Sequence, residues 1–396
     1  MREHAKAGTE VVDGLRGIAI LVVLGFHSWL FSFYSPPAPF AVIVQTGYLG
    51  VELFFLISGF CLFFPYAREA LDGGAGQSVG TFAYRRFIKI VPSYALALTV
   101  TVLVALPTLS GSDLSGPALW THALFLNNWF NDPLGGANSV FWSLGVEVQF
   151  YLIFPLLAFA FARRPLITLA AMVGVALAYR HLLAGCCLST ETVMRQVPAF
   201  LDIFALGMFS AYAVVFARTR FDWVGRARLG FTLAALASLG VLWALLLSAS
   251  SVFYAPGGRD SWNLLGRTEL AATLAVLVIS SCLAQRWWRQ VLANPVLVFI
   301  SVLSYNLYLW HTLIELWLIH HHLPPTAAVD PHSDEAWKPW YLGIAIPSSF
   351  LISAAVTYFV ERPLLETVRP HRFAFPWRRL IGGRTSAAVL APAQKK

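Results

Sequence analysis

Charge is what this sequence has least of. Asp, Glu, Lys and Arg together make up 12% of the 396 residues, against 58% that are hydrophobic. A soluble domain carries about twice that charged fraction, so a soluble fold is excluded. Cysteine is also scarce, with four in the chain. Cys61 and Cys282 fall in apolar runs, Cys186 and Cys187 are adjacent, and no CxxC occurs. Neither a disulfide framework nor a zinc site is indicated, and nothing supports reading Cys186–Cys187 as a redox pair. No GxSxG elbow is present, which disfavours a serine acyl-enzyme. The glycines of 71–80 lack the Lys-Ser/Thr of a phosphate loop. No internal repeat of the transporter kind is visible, and no nucleic-acid motif accompanies the net charge of +8.

What is present is a series of apolar runs, each long enough to cross about 30 Å of hydrocarbon. Ten spans are expected, at 14–33, 47–66, 87–107, 141–162, 166–184, 198–217, 229–248, 270–284, 296–319 and 341–361. The eighth is short enough to begin in its loop. The stretch 118–130, interrupted by Asn127 and Asn128, is too short to span and reads as interfacial or re-entrant. The first run is long and has no clear small-residue cleavage site after it, so it reads as a retained helix rather than a signal peptide. With the N-terminus cytoplasmic and the spans alternating, all but five of the 28 Lys and Arg fall inside. The five outside are Arg180, Arg195, Arg259, Arg267 and Lys338. That bias supports the count and the orientation together, with both termini cytoplasmic. The expected fold is therefore all-α, a polytopic membrane helical bundle of about ten transmembrane helices. The membrane domain is assigned to 1–369, and the basic, small-residue-rich 370–396 to a disordered cytoplasmic tail.

Ionisable groups inside a bilayer are costly and usually functional. Arg16 and His27 lie eleven residues apart in the first span, on nearly the same helical face and about 16 Å apart along the axis. Counted from the outer end, His27, Glu52, Glu147, Asp202 and His311 fall near a common depth and suggest a shared polar cavity. His27 reads as a general base or as a helix-packing hydrogen-bonder. Glu147 reads as a site residue or as the structural partner of an Arg or His. Glu52 and Asp202 read as stabilisers of helix contacts, and His311 as packing or function equally. His320, His321 and His322 do not share a helical face and read as interfacial loop residues, so no metal site is assigned. Arg85, Arg86 and Lys89, just before Pro92 at the start of span three, either anchor that helix at headgroups or, with Arg16, hold a polyphosphate.

Taken together the motifs resemble acyltransferase family 3, the integral-membrane O-acyltransferases. DGLRGIAILVVLGFH at 13–27 resembles the first-helix signature, and VELFFLISGF at 51–60 the second-helix motif. RRFIKIVPSY at 85–94 resembles the basic start of span three, and FWSLGVEVQFYLIFP at 141–155 the WSLxxE element. SYNLYLWH at 304–311 and ERP at 361–363 resemble the late motifs. The sequence departs from the pattern at Lys89, where Arg is common, and at Gly145 and Val148, where more polar residues are frequent.

The resemblance implies transfer of an acyl group, usually acetyl, from acyl-CoA to a hydroxyl of a carbohydrate or related cell-surface or secondary-metabolite acceptor. His27 and Glu147 are the expected catalytic pair, with His27 as base and Glu147 orienting it. Arg16, Arg85, Arg86 and Lys89 are expected to hold the phosphates of acyl-CoA, a co-substrate rather than a bound cofactor. An acyl-histidine intermediate is left open. The esterase-like domain fused to some members is not expected. The expected setting is a bacterial plasma membrane, with the bilayer, the donor and a hydroxyl acceptor as partners. The competing reading is a transporter or flippase for a glycosylated or acylated substrate, which buried charges would suit equally.

Overall fold

The computed structural model describes residues 9–73, 78–105, 116–130, 138–183, 190–252, 255 and 258–366. Ten long helices are named here in chain order: α1 Thr9–Ser32, α2 Gly50–Asp72, α3 Val79–Val100, α4 Phe141–Arg163 and α5 Pro165–Leu183. They continue as α6 Leu201–Arg220, α7 Arg228–Val252, α8 Gly258–Leu283, α9 Pro295–His320 and α10 Trp337–Val356. Among the described residues there is no strand. All ten, some extended by a flanking turn, contain stretches long and apolar enough to cross a membrane, and the chain is a multi-pass membrane protein. The tail assigned to 370–396 and the pair Cys186–Cys187 lie outside the described residues.

Local chemistry sets the helix ends. Ser78 caps α3, its Oγ accepting from the Thr81 amide at 3.2 Å, so the helix begins eight residues before the expected 87. Arg85 and Arg86 therefore lie within the helix rather than ahead of it, and Lys89 lies deeper in it than expected, a correction the capping serine explains. Asn294 caps α9 by accepting from Leu297 N at 3.0 Å, with Pro295 in the first turn. Gly73, at φ +73°, ends α2. The eighth helix begins at Gly258, as its short apolar run suggested, and its membrane-length part is Gly266–Leu283. The 118–130 stretch forms a short helix, Gly116–Ala123, and a 3-10 turn, Asn127–Trp129, too short to span.

Burial sorts the bundle into inner and outer helices. The apolar window of α2 is 78% buried and those of α6, α8 and α9 are mostly buried, whereas those of α5 and α7 are 17% buried. Leu166, Ile167, Leu229 and Leu233 are among the large apolar side chains that the outer helices expose. Lipid tails are as apolar as leucine, so close backbone approach and polar contacts carry helix association. Gly59 and Gly207 supply the first. A Cβ on Gly59 would stand 2.4 Å from Phe204 O, and one on Gly207 would stand 2.0 Å from Leu56 O. Without side chains at these positions α2 and α6 meet backbone to backbone.

Buried ion pairs supply the second. Arg180 of α5 meets Asp202 of α6 at 2.7 Å, and Thr268 of α8 bonds both. Arg267 of α8 lies 3.3 Å from Glu52 of α2 and over the Phe200 ring at 4.4 Å. Arg180 and Arg267, counted among the outer-side charges, lie on α5 and α8. Both are buried, because each faces a carboxylate on a neighbouring helix. Glu52 and Asp202 thus stabilise helix contacts, as read from the sequence, and do not share a cavity with Glu147.

Candidate active site

A cavity of about 100 Å³ opens between α1, α2, α3, α4 and α9, lined on its polar side by Arg16, Arg86, Lys89, Glu147 and Tyr151. On α3, Arg86 and Lys89 are on the cavity wall, while Arg85 is exposed and off it. Glu147 Oε1 accepts from Ser58 Oγ at 2.9 Å and from the Tyr151 hydroxyl. The Arg86 guanidinium stands 5.7 Å from the Tyr151 ring centroid, and its buried Nε has no hydrogen-bond partner. Arg16 lies within electrostatic reach of Glu147 and Asp13. Lys89 Nζ is ion-paired with Glu361, which also accepts from Asn306 Nδ2 at 2.9 Å. The basic start of span three and the late ERP motif, 272 positions apart from Lys89 to Glu361, thus meet at one wall.

Tyr308 of α9 lines the same cavity, and its ring centroid lies 6.0 Å from that of His311. His311 in turn meets His27, Nε2 to Nδ1, at 3.1 Å. The backbone fixes the protons of this pair. His311 Nδ1 lies 2.9 Å from Leu307 O, and a carbonyl can only accept, so Nδ1 carries the hydrogen. The Nε2 of neutral His311 is then a lone-pair acceptor. His27 Nδ1 lies 3.0 Å from Val23 O, so it also carries a hydrogen, shared between Val23 O and His311 Nε2. That leaves His27 Nε2 unprotonated and able to take a proton. His27 is half-buried and His311 fully buried.

Of the residues expected in the site, Arg16, Arg86, Lys89 and Glu147 come together at the cavity, and Arg85 and His27 do not line it. The partner that the geometry gives His27 is His311; the hydrogen bonds of Glu147 go to Ser58 and Tyr151. Sequence reasoning missed Glu315, which is fully buried and accepts from Ser28 Oγ at 2.6 Å. A carboxylate inside an apolar span, four residues after His311 and so on its face, was the available signal. His320 and His321 end α9 exposed, His321 stacked on Trp317 at 4.3 Å between centroids.

The family model described as "Acyltransferase domain" matches residues 10–358, and the chain belongs to that family, the acyltransferase family 3 of its motifs. Similar proteins include the peptidoglycan O-acetyltransferase OatA of Listeria monocytogenes, 23% identical over 89% of this chain and 55% of the relative. The acyltransferase MdmB of Streptomyces mycarofaciens is 34% identical over 37% of this chain and 38% of its own length. A Staphylococcus aureus (strain COL) protein provisionally named an O-acetyltransferase is 25% identical over 76% of this chain and 49% of its own. The chain thus spans about half the length of the curated relatives first matched. No solved structure matches.

Proposed function

We propose that the protein is a membrane O-acyltransferase that moves an acyl group, acetyl first among candidates, from acyl-CoA to a hydroxyl of a carbohydrate or related acceptor. Peptidoglycan, the substrate in the name of one relative, and a macrolide-type secondary metabolite are the acceptors to try first. The observation that carries this reading is the 3.1 Å contact of His27 Nδ1 with His311 Nε2, which in the neutral pair leaves His27 Nε2 free to take a proton.

In this reading the basic end of the bundle is cytoplasmic. The donor's phosphates bind there at Arg16 and Arg86, with Lys89 beside them. Its pantetheine arm runs along α1 toward His27, about 16 Å away. The acceptor oxygen attacks the thioester carbonyl as His27 Nε2 takes the hydroxyl proton. The tetrahedral intermediate collapses with cleavage of the C–S bond, and the leaving thiolate receives that proton as free CoA. His311 Nε2 accepts from His27 Nδ1–H throughout and stabilises the transient imidazolium, the service a carboxylate gives in a catalytic triad. Glu147 holds the charge balance beside the donor cations. The buried charges Arg180, Asp202, Arg267 and Glu52 are already paired across packed helices, which favours an enzyme over a translocation path.

The test is transfer of label from acetyl-CoA to a panel of hydroxyl acceptors by purified protein in nanodiscs. The expected outcome is transfer that His27→Ala abolishes while the variant remains folded and monodisperse. Vesicle flux of an acceptor without label transfer, or full activity in His27→Ala, would overturn the proposal.

A further inference from the structure

A second basic site lies away from this cavity. At the basic end of the bundle a groove of about 1530 Å³ runs between the start of α1, the ends of α2, α6 and α8, the start of α7, and the linker helix Arg286–Leu292. Arg68, Arg218, Arg228, Arg286 and Arg289 line it. It exceeds the about 300–1,000 Å³ of an ordinary small-ligand pocket. Arginines at span ends ordinarily serve topology and reach outward to headgroups and water. Two of these do not. Arg218 turns inward and donates to Cys282 O at 2.8 Å. Arg289 is half-buried, and its Nε is buried with no hydrogen-bond partner.

The acids present do not offset the cluster. Asp72 is engaged by Arg68 at 3.3 Å, which leaves Glu10 and Asp222 as the other carboxylates on the wall. Burial, then the neighbouring Arg228, Arg218 and Arg286, hold the Arg289 guanidinium below the ordinary arginine range. The like charges therefore lie within electrostatic reach of one another on the groove wall. Phe221 on its wall, and Trp223 and Trp287 close to it in sequence, are exposed aromatics of the kind that mark headgroup depth.

We propose that this groove binds a phosphate-bearing anion, seated on Arg218, Arg228, Arg286 and Arg289. Guanidinium forks match phosphate oxygens bidentately, and a bound phosphate supplies the charge that the arginines lack. The phosphate of an anionic phospholipid headgroup and that of a nucleotide present the same chemistry. The site stands independently of the acyl-transfer reading, since it shares no lining residue with the candidate active site.

The experiment measures binding rather than turnover, on the full chain. In one arm the protein is extracted from phosphatidylcholine vesicles doped with phosphatidylglycerol, and retained phosphatidylglycerol is counted by native mass spectrometry. In the other, 3′,5′-ADP is titrated in phosphatidylcholine nanodiscs with thermal stability as readout. Arg286→Gln/Arg289→Gln is expected to weaken the bound probe about ten-fold or more, in line with the contribution of each basic residue at a charged surface. Arg228→Gln, at an exposed position, should weaken it in the same direction with the least risk to folding. Arg220→Gln/Arg226→Gln changes two exposed arginines of the same end that are off the groove wall, and should leave binding unchanged. Loss in the phosphatidylglycerol arm identifies a lipid headgroup as the ligand, and loss in the 3′,5′-ADP arm a nucleotide. Three results would overturn the proposal: no loss in either arm, equal loss in the Arg220/Arg226 variant, or 3′,5′-ADP binding that Arg86→Gln removes and the groove variants keep.

Discussion

Replacing His311 isolates the pair on which the proposed chemistry rests. His311→Ala removes the acceptor 3.1 Å from His27 Nδ1 and leaves Val23 O as that hydrogen's remaining partner. The lost bond is neutral in the resting protein but charge-assisted once His27 is an imidazolium, so its loss falls on the transition state. A hydrogen bond to a charged group contributes about 1.5–3 kcal/mol. At about 1.4 kcal/mol per decade that is a fall of roughly ten- to hundred-fold in kcat. KM for acyl-CoA should stay nearly constant, because His311 does not line the cavity of the donor cations. His311→Gln places an amide oxygen near the position of Nε2 and should recover part of the rate, which a merely space-filling role would not produce. Single-turnover transfer from labelled acetyl-CoA is the assay, with monodispersity in detergent as the folding control. If His311 acts through His27, adding His311→Ala to His27→Ala should lower the residual rate no further. Full activity in His311→Ala, or a full independent loss in the His27→Ala background, would refute the reasoning.

Two other outcomes follow from the geometry. Arg86→Gln should raise KM for acyl-CoA several-fold, whereas Arg85→Gln, on the exposed face, should leave steady-state kinetics near wild type; equal effects would count against the cavity as donor site. Asp202→Ala should lower thermal stability in detergent by about 3–5 kcal/mol by leaving Arg180 buried and uncompensated, while Arg180→Met/Asp202→Leu should recover most of it. A double variant as unstable as the single would show that the pair does more than neutralise itself.

The span count was legible because hydrophobic length is a one-dimensional signal. Depth along each helix was legible too, and it correctly set His27 and His311 near one level. Azimuth was not. Residues at equal depth were read as one cavity, yet Glu52 and Asp202 face α8 and α5 while Glu147 bonds Ser58 of α2 and lies within electrostatic reach of Arg16 on α1. The positive-inside count treated every Lys and Arg as a topology signal, and it gave no sign that Arg180 and Arg267 are buried and paired inside the bundle. The start of α3 was set eight residues late because a hydropathy run ignores Ser78, whose side chain begins the helix while the sequence is still polar. The pairing of His27 with His311 rather than Glu147 depends on how α1 and α9 cross, which no spacing within either helix encodes.

The ion pair of Lys89 with Glu361 has a consequence for biogenesis. A ribosome delivers α1 and α3 to the membrane long before α9 and the turn Thr357–Glu361 that follows α10. Until then His27 has no imidazole partner, and Lys89 sits without its counter-charge. The last spans to be synthesised therefore complete the pairs that the first spans begin, and a chain stalled before position 361 sits in the bilayer with Lys89 still lacking its counter-charge.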